Sequence, residues 1–110
     1  MTAIHLLERS DHVRKTDRQK NEWESGFWNV AEEQAQQLIG ATLYLHRTKH
    51  QPSHFGGRIL SYRIEQAGPS SGRVVFTVRA AVDCKGVNTE PKGWANDHKI
   101  FWDALEPVQA

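Results

Sequence analysis

In 110 residues the chain carries a single cysteine, Cys84, which excludes an intrachain disulfide. No apolar run approaches the ~18–20 residues of a membrane span, and the first residues lack the basic-then-apolar layout of a signal peptide. Both absences point to a reducing, cytoplasmic setting. An excess of one charge is missing too. Fourteen Lys and Arg face thirteen Asp and Glu, so the total argues neither for nor against a polyanionic partner. No nucleophile elbow, Walker loop, dinucleotide fingerprint or metalloprotease histidine pair occurs. Internal repeats and low-complexity stretches are likewise absent.

What is present suits one globular domain. An apolar fraction of 38% with 25% charged residues lies near the average for folded domains, which excludes disordered and fibrous classes. Charge of both signs alternates over the first 24 residues (Arg9, Asp11, Arg14, Lys15, Asp17, Arg18, Lys20, Glu22, Glu24). Residues 1–24 therefore read as an exposed charged arm, open to helix formation, and 25–110 as the domain.

Periodicity supplies the elements. Phe27–Val30 reads as a short strand. Ala31–Ile39 reads as a helix, with Glu32 and Glu33 at its positive end and Gly40 as its stop. Ala41–His46, Arg58–Glu65 and Arg73–Val82 alternate as strands, the last two forming an antiparallel hairpin about the turn at 67–72. Residues 51–57 and 83–96 are loop-like, and His98–Leu105 forms a last strand. The expected fold is α+β: a small, curved, mostly antiparallel sheet or partly open barrel of four to six strands with one or two helices.

Several groups could carry chemistry. His46, His50 and His54 recur every four residues, a spacing that could stack imidazoles for a metal or serve a small hydrolytic or metal-dependent enzyme. Pro52 interrupts the run, and no acidic residue or thiol lies close in sequence. The expectation is therefore no metal, no cofactor and no catalysis. Cys84 ends an apolar strand and reads as a small core residue. Glu32 and Glu33 are adjacent on a helix and point apart. From Gln34 to Ile64 there is no acidic residue, while Arg47, Lys49, Arg58 and Arg63 fall there with three histidines. Such a patch attracts phosphate or an acidic partner protein. Ser53, His54, Phe55, Gly56 and Gly57 form a loop whose glycine pair lets another backbone or a flat ligand approach closely. Of four tryptophans, Trp28 and Trp102 read as core, whereas Trp94 sits in a polar loop and could meet a ligand.

The stretch from Gly26 to Val30 resembles the opening strand of the PUA-like superfamily, which includes the EVE and ASCH domains. Ala31–Ile39 is similar to the helix that follows there, and Gly40–Arg47 to the next strand. Phe55–Ile64 is similar to its glycine-led strand. The resemblance spans about residues 26–65. It implies a domain that binds nucleic acid, often RNA or a modified base, held beside the sheet by aromatic rings and loop amides. Combined with the basic stretch, the expected site is Lys49, Arg58 and Arg63 for phosphates, Phe55 and Trp94 for stacking, and Ser53, Gly56 and Gly57 for a base edge. The competing expectation is an interaction or regulatory module whose basic face meets an acidic protein.

Overall fold

The computed structural model describes residues 2–8, 13–94 and 97–102. Seven strands run in chain order: β1 Ala3–Leu7, β2 Val13–Asp17, β3 Glu22–Trp28, β4 Thr42–His46, β5 Phe55–Ile64, β6 Val74–Ala80 and β7 His98–Phe101. They join in one mixed sheet of order β2-β3-β6-β5-β4-β1-β7. All neighbours are antiparallel except β1 and β4, which pair in parallel with Ile4 opposite Leu43 and Leu6 opposite Leu45. The single described α-helix, α1 Glu32–Gln37, has six residues.

The fold is therefore not the expected α+β domain of four to six strands. Its sheet is larger and mixed, and its helical part is smaller. The extra strands come from the segment read as a charged arm. Every residue of β1 is buried, because it lies between β4 and β7 with both faces covered. Averaging charge over 24 residues hid this five-residue apolar run. On one face of the β2–β3 hairpin Arg14 pairs with Glu24, while on the other Lys15 lies over the Trp23 ring. The turn between the two strands is held by Asp17, whose carboxylate accepts from the Lys20 amide, and by Asn21 at φ 55°. Asparagine tolerates that left-handed conformation better than most residues.

The core is one cluster. Ile4 and Leu6 of β1, Leu43 and Leu45 of β4, Ile59 of β5 and Val74, Phe76 and Val78 of β6 meet beneath α1, which adds Ala35, with Leu38 just beyond its end. Gly40 (φ 88°) turns the chain back, and its amide donates to the Ile59 carbonyl. The 58–82 hairpin pairs as expected, with one difference. The β5–β6 register shifts between Ile59 and Ser61. This bulge lets Ile59 enter the core and, beyond it, Tyr62 and Ile64 pack on the same cluster. Strict alternation would have put Ile59 on the opposite face from those two.

Two further readings are revised. Trp28 is buried, but Trp102 is 41% exposed just beyond β7. The last strand is described only to Phe101, and residues 103–105 lie outside the described residues. No helix among the described residues is long and apolar enough to cross a membrane.

Phe76 is fully buried at the centre of the hairpin. Phe76→Ala should lower unfolding free energy by roughly 3–5 kcal/mol in a denaturant titration. A loss below about 1 kcal/mol would mean the β6 face is not the main core.

Candidate functional site

Trp23 of β3 touches Phe55 of β5 across the intervening β6, their rings edge to face with centroids 5.2 Å apart. Both rings are half-buried and rest on the core cluster. The indole is fixed in orientation, because Trp23 Nε1 donates to Asn21 Oδ1 at 3.0 Å. Asn21 Nδ2 in turn donates to the Ala80 carbonyl of β6 at 3.3 Å.

Two adjoining hollows open on this pair and share Trp23, Phe55 and Lys85. One, of about 250 Å³, is completed by Asn21, Gly56, Ala80, Ala81 and Val82. The other, of about 200 Å³, is completed by Glu8, Val13, Arg47 and His54. Together they form a cleft within the size range of small-ligand sites, ~300–1,000 Å³. Its cations are Arg47, Lys85 and Lys15, whose ammonium lies 5.3 Å from the Trp23 ring centroid. Its acid is Glu8, buried at the end of β1. An apolar wall of two rings, a positive rim and one buried carboxylate suit a planar, anionic ligand that also offers N–H donors.

The site residues expected from sequence distribute as follows. Phe55 and Gly56 line the cleft, Phe55 from the start of β5 rather than from a loop. Gly56 and Gly57 serve close approach between backbones. A Cβ at Gly57 would fall on the Arg79 carbonyl of β6, and one at Gly56 on the Leu43 carbonyl and Cys84. Ser53 is buried and anchors the 82–87 segment. Its amide donates to the Val87 carbonyl (2.8 Å), its hydroxyl to the Cys84 carbonyl, and its carbonyl accepts from the Gly86 amide (2.7 Å). Arg58 lies outside the cleft, in a neighbouring hollow with Thr42, Tyr44 and Asp83. Lys49, in the turn after β4, lines neither part of the cleft.

Arg63 is engaged elsewhere. It bonds Glu24 at 3.2 Å and Glu65 at 2.6 Å, which raises its own pKa and holds the Glu24 carboxyl below the usual range. These charges, with Arg14, border a larger hollow of about 400 Å³. Because its cations are already neutralised by its own acids, it offers an anion little. The cleft residues that sequence reasoning passed over are Trp23, Asn21, Glu8, Lys15 and Lys85. A signal did exist: Asp17 and Asn21 bracket a turn, and Trp23 then alternates with Glu22 and Glu24 as in a hairpin strand.

Trp94 stands over a different cluster, on the sheet face opposite the core. His5 and His46 point there from β1 and β4, covered by the segment that runs from 82 to 94. Trp94 meets the His46 ring edge to face at 5.8 Å, and Tyr44 stacks on His5 at 4.7 Å. The Trp94 N–H is buried without a partner among the described residues. The tautomers follow from the hydrogen bonds. A carbonyl only accepts, so His46 donates from Nδ1 to the Gln51 carbonyl (2.9 Å). Its Nε2 is then the acceptor for His5 Nδ1–H, 2.8 Å away. His46, His50 and His54 do not converge. Among the described residues no three His, Cys, Asp or Glu side chains are placed to hold a metal.

Comparison of the chain with protein-family models, curated proteins and solved structures found no match.

Burial, then the neighbouring His46 and Lys99, lowers the His5 pKa to about 4, and burial lowers that of His46 as well. An unfolded chain takes up these protons near the ordinary histidine value of ~6.5. Between there and about 4 the unfolded state binds more protons than the native one, so stability falls as pH falls through that window. The His5 contribution is on the order of 2–3 kcal/mol. Denaturant midpoints at pH 7 and 4.5 should therefore differ more for the native chain than for His5→Asn. An equal difference in both would show that His5 is not held neutral.

Proposed function

We propose that this chain is a non-catalytic binding domain for single-stranded nucleic acid, RNA or an extruded base, plain or modified, and that the ligand enters the Trp23–Phe55 cleft. The observation that carries the reading is the orientation-locked Trp23 indole, set against Phe55 and rimmed by Lys15, Arg47 and Lys85. An indole held by Asn21 is a stacking platform already in position, so binding costs little ordering of the ring. Stacking on it is worth roughly 1–3 kcal/mol per base and tolerates any base, because every base has a π face. The cations hold the phosphates on either side, which gives affinity without sequence reading. Buried Glu8, an acceptor when ionised, favours a base edge rich in N–H donors. The resemblance to PUA-like domains implies the same ligand class.

Titration of short RNA and DNA oligomers at two salt concentrations tests the reading. Trp23→Ala should cost about 1–3 kcal/mol of affinity and leave the salt slope unchanged. Lys85→Ala should weaken binding to every sequence and flatten the slope by about one unit. Because Trp23 also packs on the core, a melting curve for Trp23→Ala must show a folded protein at the assay temperature. No binding tighter than about 100 µM at low salt, the weak end of non-specific association, would overturn the proposal. That result would favour an acidic protein partner instead.

A further inference from the structure

The hollow that holds Arg58 measures about 220 Å³ and lies on the sheet face away from the core. Thr42 and Tyr44 reach it from β4, where they alternate with the core residues Leu43 and Leu45. Arg58 enters from β5, directly opposite Thr42. Opposite Tyr44 stands Gly56, and Cys84 of the 3₁₀ turn Val82–Cys84 fills the place a side chain would take there. The turn is fixed at both ends. Cys84 accepts at its carbonyl from the Ser53 hydroxyl, and the Ala81 amide donates to the Gly56 carbonyl at 3.0 Å. Asp83 is thereby held in the wall of the hollow. Gly57, Ala81 and Cys84 complete the lining with small side chains.

The polar groups of this hollow are unengaged. Among the described residues Arg58, Asp83 and the Tyr44 hydroxyl make no hydrogen bond or ion pair, with one another or with a neighbour. Elsewhere on the sheet the same kinds of group are paired. Arg14 and Arg63 bond Glu24, Arg79 bonds Glu22, and the Tyr62 hydroxyl donates to Glu32. Arg79 stands directly opposite Arg58, so two like charges face each other across β5 and β6. Glu22, 3.4 Å from Arg79, offsets one of them, and Arg58 has no such counterion. Burial, then Cys84 and Asp83, raises the Tyr44 pKa, so the hydroxyl stays protonated and lies within the field of Asp83.

A cation, an anion and a hydroxyl that share one small hollow without pairing call for a ligand that carries both charges. A plain anion meets Arg58 but is repelled by Asp83, and a plain cation meets the reverse. The volume lies below the ~300–1,000 Å³ of sites for drug-sized ligands, so only a small molecule fits. A free amino acid bears its ammonium and its carboxylate on one carbon, whereas either end of a peptide bears one of the two. We infer that this hollow binds a free α-amino acid with a small uncharged side chain, its carboxylate on Arg58 and its ammonium between Asp83 and the Tyr44 hydroxyl oxygen. The ammonium donates to both oxygens, which accept. Gly57 and Ala81 leave room for the side chain, and the lining offers no second charge to an acidic or basic one. This site is separate from the Trp23–Phe55 cleft and does not rest on the nucleic-acid reading.

The test is an NMR chemical-shift titration of the full chain at neutral pH. L-Alanine and L-serine are the probes, with L-lactate, L-alaninamide and inorganic phosphate beside them. Lactate lacks the ammonium and alaninamide the carboxylate, at nearly the same size. Each should bind roughly ten- to a hundredfold more weakly than alanine, the worth of a hydrogen bond to a charged group. Asp83→Asn should weaken alanine by a similar factor and erase its advantage over lactate. Arg58→Gln should erase its advantage over alaninamide. Both side chains are exposed, so neither variant should move the melting temperature. Tyr44→Phe, which keeps a ring stacked on His5, should weaken alanine roughly three- to tenfold. Lactate or phosphate binding as tightly as alanine overturns the inference in favour of a plain anion site. An alanine advantage that survives both charge variants overturns it as well, as does no binding of either amino acid up to about 10 mM. None of these results bears on the cleft, which oligonucleotides test.

Discussion

The burial of β1 on both faces is the constraint from which the rest of the molecule follows. Ala3–Leu7 lies between β4 and β7 and pairs with both, so its backbone groups are satisfied by neighbours. Ile4 and Leu6 then face the core cluster beneath α1. His5, pointing the other way, also has to leave water, and that face needs a cover. The 82–94 segment supplies it, docked through Ser53 on one side and through Trp94 over His46 on the other. Running out of β1, the chain delivers Glu8 to the cleft. A single strand, next to the sheet's edge, thus contributes to the core, the second layer and one wall of the site.

That second layer is polar where the first is apolar, and its chemistry explains how histidines tolerate burial there. A neutral imidazole has one donor and one acceptor, and the order Gln51 carbonyl, His46, His5 uses them in sequence. Lys99, buried beside the pair, gives its ammonium to the Glu90 carbonyl and lies 5.1 Å from the Phe101 ring. Its charge opposes protonation of either histidine, in the same direction as burial. The layer is thereby a fixed network rather than a titrating one at neutral pH.

The parts of the fold legible in the sequence were those whose pattern is local. β4, β6, the turn at 67–72 and the short helix showed their periods directly. β1 did not, because a strand buried on both faces has no alternation and resembles any short apolar run. The bulge after Ile59 was invisible for a different reason: it depends on the partner strand's register, which only tertiary pairing sets. Gly56 and Gly57 were singled out for close approach, and what lies close to them in the fold is the backbone of β4 and β6 and the Cys84 side chain. Arg63 illustrates the limit for charges. Its acid-free sequence neighbourhood said nothing about Glu24, which reaches it across the sheet.

The cleft's wall is built from two strands. Trp23 on β3 and Phe55 on β5 lie either side of β6, about two strand spacings or ~9–10 Å of backbone apart, and their large side chains span that gap to bring the ring centroids to 5.2 Å. Beside Phe55, Gly56 and Gly57 leave room for the neighbouring backbone, where side chains would collide. The same contact therefore closes the core and opens the site. Trp23 is held at its N–H by Asn21 and at its ring by Phe55, which leaves it half-exposed without leaving it free. An aromatic ring kept in place by strands and a fixed hydrogen bond retains its orientation when a ligand arrives, whereas a ring on a loop would have to be ordered first. The residue that the fold leaves half in water is thus the one best prepared to bind.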